Sequence, residues 1–209
     1  MNSGKVQDFQ KFLKENGIDY QLSGCVVDGR AVKGRSPQNR AFPGKTRRLT
    51  TMIKVLFICH GNICRSPMAE FVLKDMVEKR GIADQFEIAS AATSTEEIWN
   101  GVGNPVYPPA KAELAKHGLS CEGKRAVQLK DSDYDYYDYL IGMDTMNIRN
   151  MERMTGHKAG TKMRMLLEYN NQFSGISDPW YSGAFDETYR DVVIGCTAFL
   201  EYLEKEGKI

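Results

Sequence analysis

The stretch Val55–Glu70, VLFICHGNICRSPMAE, decides how the rest of the chain is read. Four apolar residues run straight into Cys59, which predicts a buried strand over Ile53–Ile58. Ser66-Pro67 followed by Met68-Ala69-Glu70 predicts the start of a helix, so Cys59 to Arg65 is the turn between strand and helix. Two thiols and a permanent cation therefore share one turn. His60, Gly61, Asn62, Ile63 and Cys64 can curl the main chain so that several N–H groups point inward, and the helix adds its positive end. The result is an anion cradle. Gly61 tolerates unusual dihedrals, and Asn62 is one of the few other residue types at ease with positive φ. The same field favours a thiolate at the centre of the cradle. Arg65 offers a planar fork for two phosphate oxygens, and the Ser66 hydroxyl can donate to the sulfur and ease its departure. Taken singly, each residue has an ordinary reading: a cysteine at a strand end as a small buried hydrophobe, an arginine at a helix start as a solvated charge. Jointly they define a site.

The chain of 209 residues is 42% hydrophobic, enough for one α/β domain of ordinary size with an appendage. No apolar run approaches the roughly 18 residues of a spanning helix, and the N-terminus lacks an apolar export signal, so the expected setting is cytoplasmic, with no membrane partner. Cys25, Cys59, Cys64, Cys121 and Cys196 form an odd, widely spread set, read as reduced thiols. Net charge is +1, but residues 1–50 hold 10 Lys/Arg against 4 Asp/Glu while the remainder is acidic. The basic residues are scattered among Gly, Pro and Ser without stacking aromatics, which reads as a solvated segment and not as a nucleic-acid surface.

Residues 1–51 are accordingly expected to be a basic, loosely ordered N-terminal extension with one short helix over 5–16, and 52–209 the functional domain. GRAVKGRS (29–36) and NRAFPGKT (39–46) each miss the phosphate-loop pattern by one residue and lack the flanking strand and helix it needs. From Met52 the texture alternates. Strands are expected at 53–58, 86–91, 139–143 and 163–169, and helices at 67–80, 109–117, from the Asp144 cap to about 154, and 186–206. That order predicts an α/β fold, a doubly wound four-stranded parallel sheet with helices on both faces, and a ligand site beyond the strands' carboxyl ends, where Cys59 falls.

CHGNICRSP resembles the low-molecular-weight protein tyrosine phosphatases, whose signature of Cys, five residues, Arg and Ser directly follows the first strand. SAATS (90–94), KHGLS (116–120), YLIGMDTMN (139–147) and SDPWYSGAFDETYRDV (177–192) extend the resemblance over nearly all of 53–209 and none of 1–50. It implies a flavodoxin-like three-layer sandwich and a monomer that dephosphorylates phosphotyrosine-containing proteins through a phosphocysteine at Cys59, without cofactor or metal. It assigns Asp178, in the Asp-Pro-aromatic loop, as general acid and then base, since a departing phenolate needs a proton. Trp180 and Tyr181 become the aromatic wall of the cleft. The direct match to the opposite wall is Glu96, with Trp99, in an apparent insertion, a candidate substitute. Members often pair the two loop cysteines, which implies that Cys64 protects an oxidised Cys59. Many members carry His where Lys124 stands and Arg where Val127 stands, so the network supporting Asn62, with Ser66 and Ser90, is expected to be arranged differently. Because most members begin just before the first strand, residues 1–51 are either an added tail or a translated region upstream of a start at Met52.

Two other activities share this loop. Phosphoarginine phosphatases of the superfamily carry Thr where this chain has Ile63. Arsenate reductases relay a disulfide through two further cysteines, for which only the widely separated Cys121 and Cys196 are on offer.

Overall fold

A computed structural model describes residues 52–209. The helix expected over 5–16 and the loosely ordered extension lie outside the described residues. Strand β1 (Ile53–Cys59) is central in a four-stranded sheet with β2 (Phe86–Ala92) on one side and β5 (Tyr139–Gly142) then β6 (Met163–Met165) on the other, all parallel. A separate antiparallel hairpin pairs β3 (Ile98–Trp99) with β4 (Val102–Gly103). The helices are α1 (Arg65–Arg80), α2 (Pro108–Lys116), α3 (Asp133–Tyr136), α4 (Thr145–Thr155), α5 (Pro179–Ser182) and α6 (Phe185–Lys205). The expected doubly wound sheet is the one observed.

β1 reads as an unbroken apolar run because both of its faces are covered. Leu56 and Ile58 join Leu140, Met151 and Met163 in a cluster under α4. Alternation sends Val55 and Phe57, both fully buried, to the other face. α1 and α6 pack against each other, and Phe57 and Phe199 are among the largest buried side chains. The chain leaves β1 toward β2 on one side and returns to β5 on the other, which opens a crevice at the carboxyl ends of β1 and β5.

Most expected elements are displaced by a residue or two, and one is corrected. The strand expected over 163–169 stops at Met165 and the chain turns into a 3₁₀ segment, Leu166–Asn170. Leu166 and Leu167 are both buried, and the 3₁₀ segment that carries them packs against α6. The approach is close: a Cβ on Gly195 of α6 would lie 2.4 Å from Leu166 Cγ. The hairpin was not anticipated, although Asn100-Gly101 between Trp99 and Val102 is a two-residue turn signal, realised here with φ of 50° and 77°.

Candidate active site

Cys59 ends β1 and Arg65 opens α1, so the two ends of the loop are held by regular structure. Cys64 takes the N-cap position of α1 without a side-chain cap bond, which leaves the first-turn N–H groups to serve an anion. Asn62 adopts φ 58°, as its residue type allows. Gly61 is not in the left-handed region. Its small size matters sterically instead, because a Cβ there would stand 3.0 Å from Glu97 Cγ.

Cys59 Sγ receives two hydrogen bonds, from the Asn62 backbone N–H at 3.3 Å and from Ser66 Oγ at 3.1 Å. Both donors sit where they can stabilise negative charge on sulfur. The Asn62 side chain, fully buried, donates to Ser66 Oγ (2.9 Å) and Ser90 Oγ (2.8 Å) and accepts from Val127 N–H (3.1 Å). Val127 therefore supports the loop through its main chain, and no side chain is needed at that position for the bond.

Arg65 is only 3% exposed. Its Nη1 donates to Asp144 Oδ2 (2.6 Å) and to the Ile176 carbonyl (3.1 Å), and its Nη2 donates to Asp178 Oδ2 (2.5 Å). Burial works against its charge, but the Cys59 sulfur, Asp144 and Asp178 outweigh it and raise the guanidinium above its ordinary value. Asp144 does two jobs: its Oδ1 caps α4 by accepting from Asn147 N–H, and its Oδ2 holds Arg65. The sequence reading found only the cap. The Cys64 thiol is pushed up, first by burial and then by Cys59 and Asp178.

Asp178 N-caps α5, accepting from Trp180 N–H at 3.1 Å, with Pro179 at the first helical position. The Asp-Pro-aromatic spacing is thus a capping geometry that turns the other carboxylate oxygen toward Arg65. Trp180 leans on Tyr107, ring centroids 4.8 Å apart, and Tyr107 N–H is bonded to the Ile63 carbonyl. Tyr107, which no motif marked, ties the wall to the loop. Tyr181 is 88% exposed.

A cleft of about 160 Å³ gathers Cys59, His60, Gly61, Ile63, Cys64 and Arg65 as its floor and Asp178, Trp180 and Tyr181 on one side. Asn62 and Ser66 lie beneath the floor. Glu96 and Glu97 form the other side, and Glu96 pairs with His60 at 3.0 Å. Trp99 does not line the cleft. It stands on the β3–β4 hairpin, 70% exposed, opposite Val102. Strand pairing turns it away from the face where Gly103 presses on the Ala126 main chain.

These features define a doubly wound α/β protein with a cysteine-bearing loop, closed by a helix start, at its switch point. Residues 54–209 match the family described as low molecular weight phosphotyrosine protein phosphatase. YfkJ of Bacillus subtilis, a low molecular weight protein-tyrosine-phosphatase, is 36% identical over 160 residues, covering 76% of this chain and 100% of that protein. Its crystal structure superposes with a TM-score of 0.69 over 74% of this chain and 96% of that one. Low molecular weight phosphotyrosine protein phosphatase 1 of Drosophila melanogaster is 40% identical over 160 residues, covering 73% of this chain and 98% of its own. The crystal structure of DARP, a drosophila arginine phosphatase, matches at 29% identity with a TM-score of 0.65, over 73% of this chain and 98% of that one. The chain belongs to the low molecular weight phosphotyrosine protein phosphatase family, a family of hydrolases.

Proposed function

We propose that residues 52–209 hydrolyse phosphotyrosine in proteins, and small aryl phosphates, by way of a phosphocysteine at Cys59. The observation that carries this is the sulfur's setting: two donors on Sγ, Arg65 across the same floor, and Asp178 with two aromatic residues on one side of the cleft. The Cys59 thiolate attacks phosphorus, an S–P bond forms, and the P–O bond to the phenol breaks. Asp178 gives its proton to the departing oxygen. A water then attacks phosphorus while Asp178 takes a proton from it, the S–P bond breaks, and the thiolate returns to the Asn62 and Ser66 donors. Arg65 and the loop N–H groups hold the equatorial oxygens throughout.

The test compares wild type with Cys59→Ser on a phosphotyrosine peptide and on an aryl phosphate, with and without chelator. Turnover is expected to vanish in the variant and to ignore the chelator. Activity lost in chelator and restored by a divalent metal would overturn the proposal.

A second reading is phosphoarginine hydrolysis. Glu96 and Glu97 place two carboxylates where a substrate guanidinium would pass, and the likeness to DARP points the same way. The exposed rings of Trp180 and Tyr181 favour a phenyl group instead. A kcat/KM on phosphoarginine above that on phosphotyrosine would reverse the order. The disulfide relay of an arsenate reductase is poorly served, because Cys196 is fully buried on α6.

A further inference from the structure

We infer that Tyr107 is a positioning residue for proton transfer: anchored on the cysteine loop, its ring holds Trp180 and so keeps Asp178 facing the cleft. This rests on the proposed function, in which Asp178 is the general acid.

The base of the strut is main chain. Tyr107 N–H donates to the carbonyl of Ile63, a residue of the cleft floor, at 2.8 Å. The Tyr107 carbonyl accepts from Lys111 N–H at 2.9 Å, in the first turn of α2. Pro108 follows directly, and a residue before proline is driven from the helical region to extended backbone; Tyr107 has φ −57° and ψ 134°. With the main chain held on both sides, the direction of the Cα–Cβ bond is set.

That direction leads into the corner between α5 and α6. The Tyr107 ring centroid lies 4.8 Å from that of Trp180 and 6.0 Å from that of Phe185, which opens α6. Aromatic pairs attract at separations of about 4.5–7 Å. Trp180 is where the wall meets the acid: its N–H bonds Asp178 Oδ1 at 3.1 Å while its ring rests on Tyr107.

The other moorings of Asp178 do not replace this one. Arg65 Nη2 pairs with its Oδ2, but the guanidinium is the group that takes the phosphoryl oxygens during the reaction. Upstream, Ile176 is buried and its N–H donates to the Met143 carbonyl at 2.7 Å, which fixes where the chain enters. Ser177 and Asp178 then follow, each with two soft dihedrals. α5 itself is a single turn in which Pro179 is buried and Trp180, Tyr181 and Ser182 are exposed, too short to hold its own course. The tilt of α5, and with it the direction of the Trp180 N–H that holds the carboxylate, is set by the ring contact with Tyr107.

The experiment uses the full chain and two esters, phenyl phosphate and p-nitrophenyl phosphate, with kcat/KM as the readout. Both put one ring against the same wall, so a lost wall contact weighs on them equally. They differ in how far the departing oxygen needs a proton. Tyr107→Ala is expected to lower kcat/KM on phenyl phosphate about tenfold or more, within the roughly 10²- to 10⁴-fold of the acid itself, and on nitrophenyl phosphate by much less. Tyr107→Phe keeps the ring and should match wild type. In an Asp178→Ala background, where no acid is left to position, Tyr107→Ala should cost the two esters equally. A readout without substrate is the fluorescence of Trp180 in Trp99→Phe protein, which leaves one of the chain's two tryptophans. There Tyr107→Ala should lower the anisotropy and move the emission to the red. Should Tyr107→Ala fail to fold, Tyr107→Leu, which fills the corner without a flat ring, is expected to give the same dependence on the ester. A wild-type ratio between the esters in these variants, beside a changed ratio in Asp178→Ala, would overturn the inference alone. Equal losses on both esters in Asp178→Ala would overturn the acid role, and the inference with it.

Discussion

Replacing Asp178 with alanine separates what this residue does for the fold from what it does for the reaction. In the resting structure it caps α5 through Trp180 N–H and pairs with Arg65. Loss of an N-cap costs about 1 kcal/mol. Arg65 keeps Asp144 at 2.6 Å and the Ile176 carbonyl at 3.1 Å, so its charge is not abandoned in the interior. The expected loss of stability is therefore about 1–2 kcal/mol, a fall in Tm of roughly 2–8 °C. The kinetic loss is larger. A positioned general acid contributes about 10²- to 10⁴-fold, or about 3–5 kcal/mol at the transition state. It should also depend on the leaving group, because tyrosine phenolate, from an acid of pKa about 10, needs the proton far more than a delocalised nitrophenolate does. The assay is kcat on a phosphotyrosine peptide and on nitrophenyl phosphate at one pH, with a thermal melt of the same samples. Equal losses on the two substrates would refute the acid role and leave Asp178 as a cap and an Arg65 partner.

A chain shortened to begin at Met52 is expected to keep its rate on a small aryl phosphate, since the family match begins at residue 54; a large loss of rate or solubility would show that residues 1–51 serve the domain. Peroxide is expected to convert Cys59 to a sulfenic acid, which the Cys64 thiol condenses with to give a disulfide and water. Reductant should then restore wild type far better than Cys64→Ser, and equal recovery would remove that role. Glu70 has a folded pKa below its unfolded one, so its contribution to stability is present above the ordinary carboxylate range and is lost as pH falls through the folded value. Thermal melts from pH 7 downward should show wild type losing stability faster than Glu70→Gln, and parallel curves would contradict the assignment.

The strand-turn-helix at Val55–Glu70 was legible because its cause is local: an apolar run, a residue type suited to positive φ at Asn62, and a helix start at the arginine. Asp178 was legible only through a family resemblance, since Asp-Pro is an ordinary turn pair. The capping bond gives the spacing a physical reason: proline at the first helical position sets the aspartate outside the helix, with one oxygen for the cap and one for Arg65. Glu70, Tyr107 and the second role of Asp144 left no local trace. A glutamate in the first turns of a helix reads as solvated until Lys124, far along the sequence, is seen beside it. Trp99, offered as a candidate substitute for Glu96 on the opposite wall, is not among the cleft-lining residues for a related reason: an aromatic shows its size in the sequence but not its direction.

The resting arrangement of charge bears on the proposal that one carboxylate is both the partner of Arg65 and the proton carrier. Arg65 faces Asp144, Asp178 and the Cys59 sulfur together, so its positive charge is already answered more than once. A phosphoryl group entering the floor brings further negative charge into a cleft of about 160 Å³. Asp144 is held at two points, by Arg65 and by the α4 cap, and α4 sits on the sheet. Asp178 is likewise held by Arg65 and by a cap, but the helix it caps has only four residues, of which Trp180 and Tyr181 are exposed, so its mooring is the weaker of the two. Under the proposed function, substrate that displaces Asp178 from Arg65 Nη2 frees that donor for a phosphoryl oxygen and leaves the carboxyl group beside the departing phenolate, the place of the proposed acid. On this reading the pairing of Arg65 with Asp178 is a resting state that substrate displaces, and the pairing with Asp144 is the one that persists through the reaction.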